Sequence, residues 1–237
     1  MRGVVLANEV LDAMPVERFV LHGRPDGIAV NALGVGLAGE QFEWREMSLS
    51  PELLNAVADV VEALPAPLPE GYVSELCLAF QPWMAGLAAQ LEAGVALLID
   101  YGLPRPQLYH PDRKSGTLRC HFRHRAHDDP FVNPGLQDIT AWVDFTRVAE
   151  AADSAGLEVL GFNTQAAFLI GAGMESLLAT EMEIAGDDAR RRTTLAGEAR
   201  RLLLPGEMGE VFKVIALGRG VDAPLSGFAT QDLRASL

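Results

Sequence analysis

The chain has 237 residues, and its 49% hydrophobic and 22% charged residues predict a folded globular protein with a sizeable core and exclude disorder as its main state. Acidic side chains number 32 against 19 basic ones, which gives a net charge of −13. That charge excludes nucleic-acid binding through bulk electrostatics and favours a cationic partner, although an excess of acid also serves solubility alone.

The first predicted element is a buried strand at 4–7, and polar residues follow it at once. Asn8, Glu9 and Asp12 come directly after this strand, and Pro15 ends regular structure. Because ligands of open α/β sheets bind at the carboxyl ends of strands, these three side chains form the first candidate site. Carboxylates there can hold a cationic or N–H-bearing substrate, whereas the structural alternative is a cluster that caps a helix.

Three short strands punctuated by glycines are predicted at 17–21, 27–33 and 41–47, and together they indicate an antiparallel β-appendage at about 17–47. Residues 34–39 have the glycine spacing of a dinucleotide-binding loop, but no parallel βα unit surrounds them, so we reject that function. After the appendage, Pro51 opens a helix that continues to about residue 64 and that Ser48 or Ser50 can cap.

A helix is predicted at 73–91, followed by a strand at 95–99 that is apolar throughout, as strands covered on both faces are. The apolar stretch 77–99 is interrupted by Gln81, Pro82 and Glu92, so it predicts no membrane span. Asp100 ends the strand and is a second candidate site residue, with an ordinary turn residue as the alternative.

The cellular environment is indicated by the cysteines and the N-terminus. Cys77 and Cys120 cannot form a disulfide framework in a chain of this length, and no secretory signal opens the sequence. A reducing, intracellular setting is therefore expected.

Residues 103–140 show no usable periodicity and hold four of the five histidines, which predicts a long functional loop or lid. His121, His124 and His127 recur every three residues and resemble a metal site at first sight. Three arginines lie among them: Arg119, Arg123 and Arg125. Because cations beside a divalent metal are unfavourable, the pattern favours an anion-binding loop, or a loop packed through histidine hydrogen bonds, over a metal centre.

Gln137 and Asp138 offer another polar pair near the end of this loop, with a simple turn as the alternative. The remaining pattern predicts a helix at 143–155, a strand at 157–168, a long helical region at 174–204 and a strand at 211–217. This alternation of strands and helices indicates the α/β class.

Eight segments carry a resemblance to a known family: 7–15, 98–102, 109–111, 116–121, 124–131, 134–140, 143–145 and 207–214. In this order they resemble the MidA family of S-adenosylmethionine-dependent methyltransferases, and the resemblance covers nearly the whole chain. Mitochondrial members of that family are complex I assembly factors that symmetrically dimethylate an arginine of a complex I subunit.

The resemblance implies a partial class I methyltransferase (Rossmann-like) sheet with a small β-appendage and a helical C-terminal region. Strands near 3–7 and 95–99 should be parallel, and the strand near 211–217 should be antiparallel to them. Family members carry a glycine-rich cofactor loop in an N-terminal region, and this sequence begins where their fourth strand would be. The implied organisation of 1–237 is thus the C-terminal portion of such a domain.

The resemblance also implies S-adenosyl-L-methionine as cofactor and a protein substrate with an accessible arginine. It implies the following site residues: Glu9, Asp12 and Asn8 as catalytic groups, Asn8 and Glu9 as cofactor contacts, and Asp100, Gln137 and Asp138 as substrate contacts. No metal and no nucleic acid are expected. The alternative is a catalytically incomplete remnant that binds a partner protein.

Location and assembly follow as further expectations. The chain should be cytoplasmic in a bacterium, or lie in the mitochondrial matrix of a eukaryote. A sheet that begins at its fourth strand should expose an apolar edge, which favours homo-oligomerisation.

Overall fold

The computed structural model describes residues 1–24, 27–123 and 125–237, which form two compact units. The first unit comprises Met1–Val10, Met84–Gly102 and Ala149–Leu237, and the second comprises Leu11–Trp83 and Leu103–Val148. The elements follow in chain order: β1 (Arg2–Asn8), β2 (Glu17–Arg24), β3 (Gly27–Ala38), β4 (Gln41–Met47), α1 (Pro51–Ala63), β5 (Val73–Leu76), α2 (Phe80–Gln90), β6 (Ala93–Leu103), α3 (Arg105–Leu108), β7 (Arg119–Phe122), β8 (Arg125–His127), β9 (Asp138–Thr140), β10 (Val143–Asp144), α4 (Phe145–Ser154), β11 (Glu158–Thr164), α5 (Gln165–Gly171), α6 (Met174–Ala185), α7 (Ala189–Leu203), α8 (Met208–Val211) and β12 (Phe212–Arg219).

The first unit is built on a mixed sheet with the strand order β1-β6-β12-β11. β1 runs parallel to β6, with Leu6 opposite Leu97, and β12 runs antiparallel to both β6 and β11. The predicted parallel pair and the predicted antiparallel last strand are both confirmed. Helix α5 contacts β11 and β12, so the sheet carries a helical layer, as the α/β class requires.

The close approach of β1 to β6 depends on Gly94. Its φ is +138°, and a Cβ atom there would lie 1.9 Å from the carbonyl oxygen of Gly3. Only glycine fits such an approach of two backbones. This contact lets the polar carboxyl end of β1 lie beside that of β6.

Strand β1 was predicted to be buried, but one of its faces is exposed to solvent. Val4 and Leu6 are each 66% exposed, so one face of β1, an edge strand of this sheet, is left uncovered. By contrast, the partner strand β6 buries Val95 and Leu98, and β12 buries almost every residue. A short apolar run predicts a strand correctly, but it does not show whether both faces of that strand are covered.

The second unit contains an antiparallel sheet with the order β4-β3-β2-β5. Phe19 and Leu21 of β2 share one hydrophobic core with Val57 and Val60 of α1. The side-chain oxygen of Ser50 accepts the N–H of Leu53 and begins this helix, as predicted. The three strands predicted in the β-appendage are confirmed. The glycine pattern at 34–39 lies largely in β3, which pairs antiparallel with β4, so this segment lies in a β-hairpin and not in a parallel βα unit.

Two predictions within the second unit are wrong. The helix predicted at 73–91 begins only at Phe80, because Val73–Leu76 forms β5 and pairs with β2. The region 103–140 is not an irregular loop, since it contains α3 and a three-stranded sheet with the order β8-β7-β9. Strands of three or four residues are too short to show a period in the sequence, and their partners define them. Whether the region acts as a lid stays a prediction.

The C-terminal elements are shorter than predicted. The helical region at 174–204 is two helices, α6 and α7, separated at Gly186, whose φ is +50°. The strand predicted at 157–168 ends at Thr164, where the hydroxyl accepts the N–H of Ala167 and begins α5. Among the described residues, no helix is both long and apolar enough to cross a membrane.

Candidate functional site

The carboxyl end of β1 places Asn8 and Glu9 at the surface of the first unit. The Glu9 N–H donates to the carbonyl of Ile99 at 2.9 Å, and the Asn8 amide donates to a carboxylate oxygen of Glu9 at 3.1 Å. Glu9 has a φ of +51°, a left-handed conformation that costs a non-glycine residue about 1–3 kcal/mol. Strain kept at an exposed carboxylate suggests that the direction of this side chain matters for function.

Asp100, near the end of β6, stabilises the backbone that follows Glu9. It is only 1% exposed, and its carboxylate accepts the N–H of Val10 at 3.2 Å and the N–H of Tyr101 at 2.9 Å. The structure therefore brings Asp100 next to Asn8 and Glu9. Its hydrogen bonds favour a positioning role for Asp100, because its oxygens are directed at the backbone on either side of the site.

Lys213 was not identified from the sequence. It lies opposite Asp100 in the β6–β12 ladder, is 7% exposed, and donates from its ammonium group to the carbonyl of Glu210. Burial lowers the pKa of this lysine, and Glu210 opposes that shift. A single cation within the apolar run 211–217 was the sequence signal that could have marked it.

The second unit holds the other predicted site residues. Asp12 is 5% exposed, and its backbone carbonyl accepts the N–H of Ala141 at 3.1 Å, which ties the segment after Leu11 to the segment after β9. The Gln137 amide donates to the carbonyl of Pro130 at 2.8 Å, while Asp138 is exposed. Whether these groups act together stays a prediction, and Gln137 holds its own loop.

The histidine pattern is only partly covered by the structure, because His124, its middle member, lies outside the described residues. Within the described part of the chain, no group of three or more His, Cys, Asp or Glu residues is arranged to hold a metal ion. Arg119 donates to the carboxylate of Asp128 at 2.9 Å, so one of the three arginines is held by a local ion pair.

Glu75 anchors a buried network in the second unit that the sequence did not reveal. It is 5% exposed and accepts both the N–H and the hydroxyl of Thr117, whose hydroxyl oxygen in turn accepts the N–H of Trp142 at 2.9 Å. Burial raises the pKa of Glu75, and the bonds from Thr117 and the charge of Arg18 oppose that shift. The residue was hidden within the wrongly predicted helix.

A parallel strand pair with polar groups at its carboxyl end, in a sheet carrying helices, defines the class of α/β proteins that bind ligands at strand ends. Within this class, the chain belongs to the family described as "Putative S-adenosyl-L-methionine-dependent methyltransferase", whose model matches residues 1–163. The resemblance noted in the sequence is thereby confirmed.

Individual relatives agree with this family. The Drosophila melanogaster protein named "Protein arginine methyltransferase NDUFAF7 homolog, mitochondrial" is 30% identical over 239 residues, covering 95% of this chain and 51% of the relative. The Homo sapiens protein named "Protein arginine methyltransferase NDUFAF7, mitochondrial" is 27% identical, covering 90% of this chain and 44% of the relative. The chain thus spans about half the length of these curated relatives.

A solved structure is similar over the whole chain. The crystal structure of a COG1565 superfamily member from Burkholderia thailandensis, bound to S-adenosyl-homocysteine, matches with a TM-score of 0.90 and 40% identity. The match covers 100% of this chain and 58% of that chain. The α/β fold predicted from the sequence is therefore confirmed.

Proposed function

We propose that this chain provides the methyl-acceptor side of an S-adenosyl-L-methionine-dependent protein arginine methyltransferase. The observation that carries the proposal is Glu9, an exposed carboxylate in a strained conformation at the carboxyl end of β1, with Asn8 bonded to it and Asp100 fixing the turn beneath it. The names of the relatives support arginine as the acceptor. A carboxylate pairs well with a planar guanidinium, since two N–H groups can donate to its two oxygens.

The residues present fit part of such a cofactor site. The exposed amide of Asn8 and the carboxylate of Glu9 can contact the polar amino-acid part of the cofactor. When bound, the cofactor would supply a sulfonium methyl group for transfer from its sulfur to the guanidinium nitrogen. Glu9 would orient that nitrogen and accept the proton it loses, while Asp100 would keep the Glu9 backbone in place.

Finer parts of the proposal rest on the family resemblance and on the names of relatives. The acceptor would be an arginine of a respiratory complex I subunit or a related protein, with symmetric dimethylation as the product. Asp12 and Asp138 of the second unit are proposed as further substrate contacts, and the region 103–140 as a lid-like element. The setting would be the mitochondrial matrix in a eukaryote or the cytoplasm in a bacterium.

In a protein reconstructed to the full length of the relatives, Glu9→Gln is expected to lower methyl transfer by about tenfold or more, since it removes a charge-assisted hydrogen bond of roughly 1.5–3 kcal/mol to the guanidinium. The measurement is transfer of labelled methyl groups to total soluble cell protein, with methylarginine quantified after hydrolysis. Glu158→Gln, which makes the same charge change at the exposed start of β11, serves as the control and should keep full activity. Full activity of Glu9→Gln in a less stable protein would show that Glu9 is structural.

Glu9→Gly tests the meaning of the strained backbone. Glycine accepts a φ of +51° without strain, so the free energy of unfolding should be unchanged or rise by up to about 1 kcal/mol. Methyl transfer should nevertheless fall as far as in Glu9→Gln. A loss of stability in this variant would contradict the view that strain is kept here for function.

A second candidate function is the binding of a partner protein by a catalytically incomplete chain. A second copy of the same chain is one such partner. This function is favoured by the exposure of Val4 and Leu6 along β1. Titration calorimetry with S-adenosyl-homocysteine separates the two functions. We expect binding at submillimolar ligand that weakens at least about tenfold in Asn8→Ala, because the amide is a direct contact. No binding at millimolar ligand would leave partner binding as the function of this chain.

A further inference from the structure

The second unit contains a cavity of about 470 Å³ that the proposed chemistry does not use. Its walls come from the segment after Asp12, from the β3–β4 hairpin and from 130–141. Six large apolar side chains are among those that line it: Met14, Val35, Phe42, Trp44, Phe131 and Ile139. Val35, Phe42 and Ile139 are each about half exposed, so the cavity reaches the surface. Its volume falls in the range of ordinary ligand pockets.

The aromatic walls are held in place before any ligand arrives. The Phe131 ring lies 5.0 Å from the Trp44 ring and 6.1 Å from the Phe42 ring, measured between centroids. On Trp44, the Arg18 guanidinium lies 4.6 Å from the ring centroid. The Phe131 N–H donates to the carboxylate of Asp129 at 2.9 Å, which fixes the backbone of that wall. A preformed apolar cavity loses little entropy on binding, so it suits a large apolar side chain.

The charges next to the cavity indicate which residues would flank that apolar side chain in a bound peptide. Glu17 and Asp129 are exposed, and each is adjacent in sequence to a residue that lines the cavity, Val16 and Pro130 respectively. Three cations near the cavity are already engaged: Arg45 pairs with Glu43, Arg119 pairs with Asp128, and Arg18, which lies on the Trp44 ring, donates to the carbonyl of Ser115 and feels the charge of Glu75. An acidic margin around an apolar cavity is complementary to an apolar residue flanked by cationic ones.

We propose that this cavity binds an aromatic or large aliphatic side chain of the protein substrate that is flanked by arginines, and so selects the substrate. This inference rests on the proposed arginine methyltransferase function, for which it specifies a sequence preference of the substrate. Asp12 immediately precedes the wall formed by Ala13 and Met14, and Asp138 immediately precedes Ile139. The exposed carboxylate of Asp129, next to Pro130 in the cavity wall, would pair with an arginine beside the anchored side chain.

Binding of fluorescein-labelled peptides to the chain, followed by anisotropy without cofactor, tests the cavity directly. Three heptapeptides suffice, with Arg-Phe-Arg, Arg-Ala-Arg or Glu-Phe-Glu at the centre of glycine flanks. We expect the Arg-Phe-Arg peptide to bind at least about tenfold more tightly than either of the others, and its affinity to fall with added salt.

The variant Val35→Arg fills the cavity mouth with a charge and should reduce binding of the Arg-Phe-Arg peptide at least about tenfold. Leu37→Arg is the matched control, because Leu37 lies on the same strand, is 55% exposed against 56% for Val35, and does not line the cavity. It should leave the affinity unchanged. Equal effects of the two variants would overturn the proposal, since they would show a general charge effect.

Other results identify other occupants and would also overturn the proposal. Equal affinity for the three peptides would show that neither the ring nor the charge is recognised. Dimerisation abolished only by Val35→Arg, in sedimentation velocity, would assign the cavity to a second copy of the chain. The proposed function is tested separately. Tight binding of the Arg-Phe-Arg peptide without methyl transfer would support the cavity proposal and contradict the proposed function. Methyl transfer that does not change with Val35→Arg, or with loss of the phenylalanine from the peptide, would support the function and contradict the cavity proposal.

Discussion

Gly94→Ala is expected to lower the free energy of unfolding by about 2–5 kcal/mol, one of the largest effects of any single substitution in this chain. A methyl group at this position would lie 1.9 Å from the Gly3 carbonyl oxygen, and a φ of +138° is unfavourable for alanine. The only relief is a separation of β1 from β6, which would also displace Glu9. Chemical denaturation followed by circular dichroism measures the change.

The matched control is Gly86→Ala, in the interior of α2. A Cβ atom at Gly86 would meet nothing within 4 Å, and helical alanine is favoured over glycine by about 1 kcal/mol. This variant should therefore be as stable as the unmodified chain or slightly more stable. A similar loss in both variants would show that the β1–β6 approach is not the cause.

Glu75→Ala should have a second large effect, about 2–5 kcal/mol, because it leaves two buried donors without their acceptor, at about 1–3 kcal/mol each. Thr117 donates to Glu75 through both its N–H and its hydroxyl, and Arg18 lies close enough for its charge to influence the carboxylate. Glu62→Ala removes an exposed carboxylate from α1 and should change stability by less than about 0.5 kcal/mol. Thermal denaturation of the two variants compares them directly. Equal effects would contradict a buried network at Glu75.

The pH dependence of stability provides an independent test of Glu75. Burial raises its pKa in the folded protein above the ordinary value of 4.5, so the folded state holds the proton more tightly than the unfolded state. The stabilising contribution is complete below pH 4.5 and is lost as the pH rises through the raised pKa. In Glu75→Gln nothing titrates at this position. The unfolding free energy of the unmodified chain minus that of Glu75→Gln should therefore fall as the pH rises from 4.5, and a constant difference would show that burial leaves the pKa unshifted.

The sequence predicted those elements of the fold that a local pattern of residues is enough to identify. The apolar run of β6, bounded by Gly94 and Asp100, specifies a buried strand without reference to other segments. The four residues of β5 contain no such signal, since β2 makes them a strand. The exposure of Leu6 was equally invisible, because an edge position depends on which strands are neighbours.

The candidate site shows the same division. Polar residues at strand ends are visible in the sequence, so Asn8, Glu9 and Asp100 were found together. Their individual roles depend on burial and backbone angles, which the pattern does not contain. Thus two similar acidic residues differ: Asp100 is directed inward to the backbone, while Glu9 is exposed. Lys213 and Glu75 were missed because each is a polar residue within a segment whose partners lie far away in sequence.

The strand order β1-β6-β12-β11 pairs strands that are translated at very different times. Leu6 pairs with Leu97, so at roughly 5–20 residues per second β1 waits on the order of 5–20 s for its neighbour to be translated. The other edge of β6 stays open until Phe212–Arg219 has been translated. During that interval the nascent chain exposes an apolar strand edge, the feature that general chaperones protect from misassembly. Synthesis rate and chaperone supply should therefore control how much of this protein reaches its native state.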